Sequence, residues 1–311
     1  MDAWYTLDWA GLPGSGVGHL PYRKRTPNAV KHHRAHDHHS TRCLPETRWT
    51  PAAAAGNHHR VGDEVIRRVP FAGALNFRDI GGYPVDGGGM TRWRAVYRSD
   101  SLHFLTAGDL AAFDALGITT VYDLRRDDEI ASFPGPRDHV RLLIPTGDLA
   151  ASAAGLQTRQ DGEAWLAADY RSMLATAAPA FGRLLSRLAD DAVFPAVIHC
   201  LGGKDRTGMS IALLLCALGV DRDTVLDDYE LTSRCHAARV PEVVETFAKL
   251  GIGRPAGEAI MSTPRWAMAE ALRELDTEHG GIRRYLLGPA GLNPQTLSAL
   301  RANLVLSACK S

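Results

Sequence analysis

No stretch of this chain is apolar over the roughly 20 residues that a membrane-spanning helix needs, so stable insertion into a bilayer is not expected. The N-terminus has no basic start followed by an apolar core. No secretory signal is evident, and a cytoplasmic location is expected, with export by another route left open. Cysteine is scarce: five in 311 residues, an odd and scattered set. That argues against a disulfide framework and for a reducing compartment. Charge of one sign is lacking too, since 35 Lys/Arg balance 35 Asp/Glu. From residue 61 onward acids outnumber bases, so the body is not a general polyanion binder, and no nucleic-acid partner is expected. Any attraction for an anion must be local. The body also lacks paired metal-ligand spacings, and no metal or other cofactor is expected.

What is there divides in two. Residues 1–60 hold eight Lys/Arg, four Asp/Glu and eight of the thirteen histidines. They include a glycine-rich stretch and the run KHHRAHDHH at 31–39. Metal binding is one reading of that run. A disordered arm, too polar to bury a core, is the reading favoured here. Residues 61–311 form the candidate domain, in which strand and helix patterns alternate. Strands are expected at 92–98, 118–124, 141–144 and 194–199. Helices are expected at 106–117, 163–176, 178–190 and 206–218, with 145–162 a loop. This predicts an α/β fold: a central, mostly parallel sheet flanked by helices, with ligands at the strands' C-terminal ends. Residues 221–305 read as mostly helical, at 223–236, 240–250, 264–279, 281–287 and 294–304, punctuated by prolines. These helices either form a lid over the site or pack against the sheet.

The informative segment is Val197-Ile-His-Cys-Leu-Gly-Gly-Lys-Asp-Arg-Thr-Gly208. It reads as a strand, a glycine-bearing loop and a helix start. Successive loop N–H groups and a helix N-terminus converge naturally on an anion. Gly202 and Gly203 let the backbone curl, and Gly208 leaves room at the helix entry. Arg206 offers a planar fork that matches two phosphate oxygens. The same field favours the thiolate of Cys200 as a nucleophile. Thr207 is placed to donate to that sulfur, Lys204 adds a cation at the mouth, and Asp205 can handle a proton. The loop residues Leu201, Gly202, Gly203, Lys204, Thr207 and Gly208 are the expected anion cradle. Spacing alone is weak, because Cys216 and Arg222 stand equally far apart. That cysteine lies in an apolar helical run and reads as a small core residue.

The HCLGGKDRTG sequence resembles the signature of the bacterial branch of the protein tyrosine phosphatase superfamily. Asn76-Phe-Arg-Asp-Ile-Gly-Gly-Tyr83, Val96-Tyr-Arg-Ser-Asp-Ser101 and Val121-Tyr-Asp-Leu-Arg125 fit the same branch in the same order, and Asp169-Tyr-Arg-Ser-Met-Leu174 is a looser match. The resemblance covers roughly residues 65–305. It implies a cysteine-dependent phosphatase fold acting through a phosphocysteine on phosphotyrosine, with phosphoserine, phosphothreonine and phosphoinositides also within the branch. The expected partner is therefore a phosphorylated protein or phosphoinositide substrate. The resemblance implies that the segment holding Asp123 and Arg125 lies beside the phosphate loop. Two readings of that pair stand: a contact to substrate or Arg206, with Asp123 a second candidate acid, or a structural ion pair. Arg98 and the Asn76–Gly82 turn read as support for the loop. No Trp-Pro-Asp occurs, so the mobile acid loop of many tyrosine phosphatases has no counterpart, and Asp205 leads as the acid. A non-catalytic phosphate-binding module and a sulfurtransferase are the other classes weighed. The Lys-Asp-Arg-Thr-Gly run favours phosphate over the latter.

Overall fold

The computed structural model describes residues 67–307 and, before them, the backbone of two short strands, β1 (Arg60–Val61) and β2 (Glu64–Val65). The histidine-rich arm expected over 1–60 lies, but for Arg60, outside the described residues.

The central sheet has five strands. β3 (Arg78–Asp79) pairs antiparallel with β5 (Val96–Ser99). β5 runs parallel to β8 (Ala196–His199), β8 to β6 (Thr120–Asp123), and β6 to β7 (Val140–Arg141). The order β3-β5-β8-β6-β7 makes β8 the middle strand. A two-stranded ribbon of β4 (Met90–Thr91) and β9 (Val305–Leu306) ties the chain end back to the sheet region. Alternate residues of a strand face opposite ways. Tyr97, Val121 and Val197 accordingly enter one apolar cluster, and Val96, Tyr122 and Ile198 enter another. Both faces must be covered, which explains why the adjacent positions Val96 and Tyr97, Val121 and Tyr122, and Val197 and Ile198 are all apolar.

The first cluster is closed by α1 (Ala107–Ala115), whose N-terminus is fixed by reciprocal bonds between Thr106 and Asp109. The second and larger cluster is closed by α4 (Arg159–Thr176), α5 (Ala178–Leu188), α6 (Asp205–Leu218), α7 (Arg222–His236), α10 (Arg265–His279), α11 (Ile282–Leu287) and α12 (Pro294–Leu304). Two short helices, α2 (Asp127–Ser132) and α3 (Leu149–Ala153), and the pair α8 (Val240–Lys249) and α9 (Arg254–Met261) complete the chain. Gly162 lets α4 and α9 meet closely, because a Cβ there would stand 2.4 Å from the Ala256 carbonyl oxygen.

Three expectations need correction. Residues 145–162 are not one loop: α3 lies within them, and α4 begins at Arg159 behind a second reciprocal cap between Thr158 and Asp161. The strand expected at 92–98 starts only at Val96, because Arg94 adopts a left-handed φ of 58° and its N–H bonds to the Asp79 carboxylate. The segment 251–263 contains α9, in which Pro255 sits in the first turn, where its missing N–H costs nothing.

Candidate active site

Cys200 leaves the C-terminal end of β8 and Asp205 opens α6, so the loop between them lies at the mouth of the middle strand. Its backbone is held from outside. The Leu201 carbonyl accepts from the Ser101 N–H (2.9 Å) and the Gly202 carbonyl from His236 Nε2 (2.7 Å). The Gly203 carbonyl accepts from Arg98 (2.8 Å) and Asn76 (3.0 Å). In a trans peptide the carbonyl and the next N–H point in opposite directions. Three successive carbonyls turned outward therefore turn the following amides inward, as an anion nest requires. The Gly203 N–H shows the consequence, donating to the Cys200 sulfur at 3.2 Å. Gly203 has φ +63°, and a Cβ there would stand 2.4 Å from the Ser99 carbonyl oxygen, so only glycine fits.

Behind the loop, Arg98 and Arg78 share one carboxylate, Asp228, which also accepts from the Tyr83 hydroxyl. All three charged groups are buried. Burial opposes the charge on Asp228, but the two guanidiniums hold its carboxyl well below the usual range. Two cations against one anion leave a net positive charge beneath the loop. Arg98 and the Asn76–Gly82 turn, read from the sequence as support for the loop, reach it through the bonds of Arg98 and Asn76 to the Gly203 carbonyl.

Arg206 is buried and reaches Glu129 in α2 with both terminal nitrogens, at 2.6 and 2.8 Å. A third, longer bond runs to the Leu124 carbonyl (3.4 Å). Burial works against its charge, but the Glu129 carboxylate outweighs it and raises the Arg206 pKa. Burial likewise opposes ionisation of Glu129, and Arg206 lowers its pKa. Of five guanidinium donors, three are used. The Nε–H and one Nη2–H remain, two donors on one edge.

Asp123 and Arg125 do not join this group. They bind each other through Nε (2.9 and 3.1 Å) and Nη2 (2.7 Å), both fully buried. Arg125 also donates to Ser101 Oγ and the Phe133 carbonyl. Burial opposes the Asp123 charge, but neighbouring His199 and Arg125 pull its pKa down to about 2. A carboxyl so held is a poor proton donor near neutrality. The geometry therefore favours the structural ion pair over the substrate contact. Its link to the loop is indirect: His199 Nε2 lies 3.7 Å from Asp123, and the ring's Nδ1 lies 3.2 Å from the Cys200 carbonyl oxygen.

Asp205 accepts from the Tyr170 hydroxyl (2.8 Å), and its Oδ1 lies 2.7 Å from the Lys204 ammonium. That ammonium also donates to the carbonyls of Ile260 (2.7 Å) and Ser262 (3.3 Å) at the end of α9. Its three donors are thus matched by three protein oxygens. Thr207 is buried, and its hydroxyl makes no bond among the described residues, so the expected donation to sulfur is not made here. Gly208 packs α6 against α7, since a Cβ there would meet the Tyr229 ring at 3.3 Å. The Cys216 thiol is pushed up to about 11 by burial, and Arg222 pairs with Asp276, so that second spacing builds no site.

Leu201, Gly202, Lys204, Asp205 and Arg206 line one cavity of about 160 Å³. His103, Phe104 and Phe133 form one wall, with the imidazole stacked on Phe133 at 4.7 Å. Val243 and Phe247 of α8, Ile260 and Met261 of α9, and Trp165 of α4 form an apolar cover. The C-terminal helices therefore do border the site. Seven polar residues at the cavity were given no role by the sequence reading: Arg126, Glu129, His103, Thr146, His236, Arg239 and Asp169, the last present only in the looser family match. The doubled arginine at 125–126 and the acid three residues after it were visible signals for the first two. Arg126, not Arg125, reaches the cavity because successive residues leave a strand end on opposite sides. No local pattern marks His236 or Arg239.

A buried thiol at the C-terminal end of a parallel strand, in an amide nest with a guanidinium fork nearby, defines an α/β protein with an anion-binding loop at the mouth of its middle strand. Comparison with known proteins agrees. The sequence pattern of the tyrosine phosphatase family matches residues 69–306, and the chain belongs to that family. It is 28% identical over 287 residues to the triple specificity protein phosphatase PtpB of Mycobacterium tuberculosis, covering 77% of this chain and 99% of that one. It is 26% identical over 224 residues to a tyrosine-protein phosphatase of Nostoc commune, covering 68% of this chain and 74% of the relative. The protein is accordingly a protein-tyrosine phosphatase-like hydrolase. No helix among the described residues is long and apolar enough to cross a membrane.

Proposed function

We propose that the protein hydrolyses phosphomonoesters through a phosphocysteine, with phosphotyrosine as substrate and phosphoserine, phosphothreonine and phosphoinositides within reach of the same chemistry. The observation that carries this reading is the Gly203 N–H bonded to the Cys200 sulfur within a loop whose carbonyls all face away. An anion seated over that sulfur meets the inward amides and the free edge of Arg206. Sulfur attacks phosphorus, the bond to the ester oxygen breaks, and a carboxylic acid at the cavity protonates the departing oxygen. Water then attacks the phosphocysteine, releasing inorganic phosphate and the thiolate. Asp205 is the carboxyl that the loop itself supplies to the cavity. The aromatic wall of His103, Phe104 and Phe133 suits a phenyl ring. The triple specificity in the name of the relative PtpB supports a range wider than phosphotyrosine.

The test is phosphate release under reducing conditions from phosphotyrosine, phosphoserine and phosphothreonine peptides and short-chain phosphoinositides, with Cys200→Ser alongside. Release that vanishes in the variant supports the reading and names the substrate class. A folded wild type that releases no phosphate from any of them overturns it.

A further inference from the structure

We propose that Asp169, on α4, is the residue that delivers the proton to the leaving oxygen, while Asp205 stays engaged with Lys204 and Tyr170. This rests on the phosphatase reading. Asp169 lines the same cavity as Lys204, Asp205 and Arg206. It comes from a different element, so the cavity carries two carboxyls rather than one.

The two differ in their surroundings. Asp205 Oδ1 already accepts from the Tyr170 hydroxyl and lies against the Lys204 ammonium. The Asp169 side chain makes no hydrogen bond or ion pair among the described residues. Half-buried beside a second carboxylate, it has its pKa pushed up to about 6, first by burial and then by Asp205, with Lys204 and Arg206 opposing. The charged groups acting on it thus all come from the phosphate loop. On the helices packed against α4, Arg254 and Glu258 of α9 pair with each other, Glu270 of α10 pairs with Arg171, and Arg265 and Asp276 of α10 pair with residues of α7. A carboxyl that lines the cavity with no bonding partner and holds its proton near neutrality is suited to deliver it, whereas Asp205 is tied to Tyr170 and Lys204.

In the first step the Cys200 thiolate bonds to phosphorus, the phosphorus–oxygen bond breaks, and the Asp169 proton moves to the departing oxygen. Alcohol or phenol leaves, and Asp169 becomes a carboxylate. In the second step that carboxylate takes a proton from water as its oxygen bonds to phosphorus and the sulfur–phosphorus bond breaks. Inorganic phosphate, the thiolate and protonated Asp169 result, so the cycle closes.

The experiment compares wild type, Asp169→Asn and Asp205→Asn on phosphotyrosine, whose leaving group needs a proton, and on 4-nitrophenyl phosphate, whose leaving group needs it far less. The expected result for Asp169→Asn is a fall in kcat of about 100-fold or more on phosphotyrosine, the usual scale of general acid catalysis. The fall on 4-nitrophenyl phosphate stays under about tenfold on the same grounds. The descending limb of kcat above pH 6 disappears in Asp169→Asn, and in Asp205→Asn it moves to lower pH because a neighbouring negative charge is gone. The substrate's own second ionisation, also near 6, gives an ascending limb and is not confused with it. Alkylation of Cys200 by iodoacetamide at the wild-type rate shows the loop to be intact. Equal losses on both substrates, or a descending limb that survives in Asp169→Asn, overturns the assignment. A wild type inactive on both overturns the phosphatase reading, and this one with it.

Discussion

Arg98 donates to the Gly203 carbonyl at 2.8 Å, and the N–H of that same glycine donates to the Cys200 sulfur at 3.2 Å. One peptide unit on either side of Gly203 therefore links a buried guanidinium to the Cys200 thiol. Removing Arg98 leaves Asp228 with a single guanidinium and takes one donor from the Gly203 carbonyl, with Asn76 alone remaining. Breaking a buried pair from one side costs about 3–5 kcal/mol. Arg98→Met is expected to lower the urea midpoint accordingly and to cut kcat. Arg98→Lys restores a charge without the fork and recovers part of both. An Arg98→Met protein as stable and active as wild type would show that the network only fills space.

Glu129 sets where the free edge of Arg206 faces. Its two oxygens take both terminal nitrogens, and Oε2 also accepts the Arg126 N–H at 2.7 Å. Glu129→Gln keeps the shape but removes the charge and one acceptor. A hydrogen bond to a charged group is worth about 1.5–3 kcal/mol. The expected loss in kcat/KM is thus about 10–100-fold. Stopped-flow or steady-state assays on phosphotyrosine measure it, and unchanged turnover would mean that Arg206 orients itself without help.

These relationships separate what local sequence carries from what it does not. The strand–glycine–helix run around Cys200 is legible because alternation, curl and helix entry are decided within a dozen residues. The capping pair Thr106–Asp109 is legible for the same reason, and α4 has the same signal at Thr158–Asp161. Glu129 stands 77 residues before its partner Arg206, and Asp169 enters from a helix that the loop's own sequence does not mention. Such meetings depend on how helices dock. Asp123 and Arg125 show a limit of motif reading: the sequence left open a substrate contact or a structural ion pair, and in the structure the two side chains bind each other. α9 was hidden because Pro255 reads as a breaker unless its place in a first turn is recognised.

Lys204 ties the loop to the cover. Its ammonium reaches the carbonyls of Ile260 and Ser262 at the end of α9 as well as Asp205. Lys204→Met keeps the apolar stem and deletes all three bonds. Hydrogen exchange at residues 254–262 is expected to quicken in that variant while the α6 amides stay protected. Equal protection in both proteins would show that apolar contacts alone hold α9 in place.

The Asp123–Arg125 pair carries a pH signature that the cavity residues do not share. Burial opposes the Asp123 charge, but His199 and Arg125 bring its pKa down to about 2, against about 3.9 for an unfolded aspartate. A depressed carboxyl contributes stability that is present above the unfolded value and is lost as pH falls through the folded one. The gap of roughly two units corresponds to about 2–3 kcal/mol at neutral pH. His199 adds to the loss, because burial lowers its pKa and the unfolded imidazole takes up a proton first as acid is added. Asp123→Asn is expected to be less stable than wild type at pH 7. As pH falls from about 4 to 2 the wild type loses the contribution that the variant never had, so the two urea midpoints converge. A difference that stays constant across that interval would mean that Asp123 acts through packing rather than through its charge.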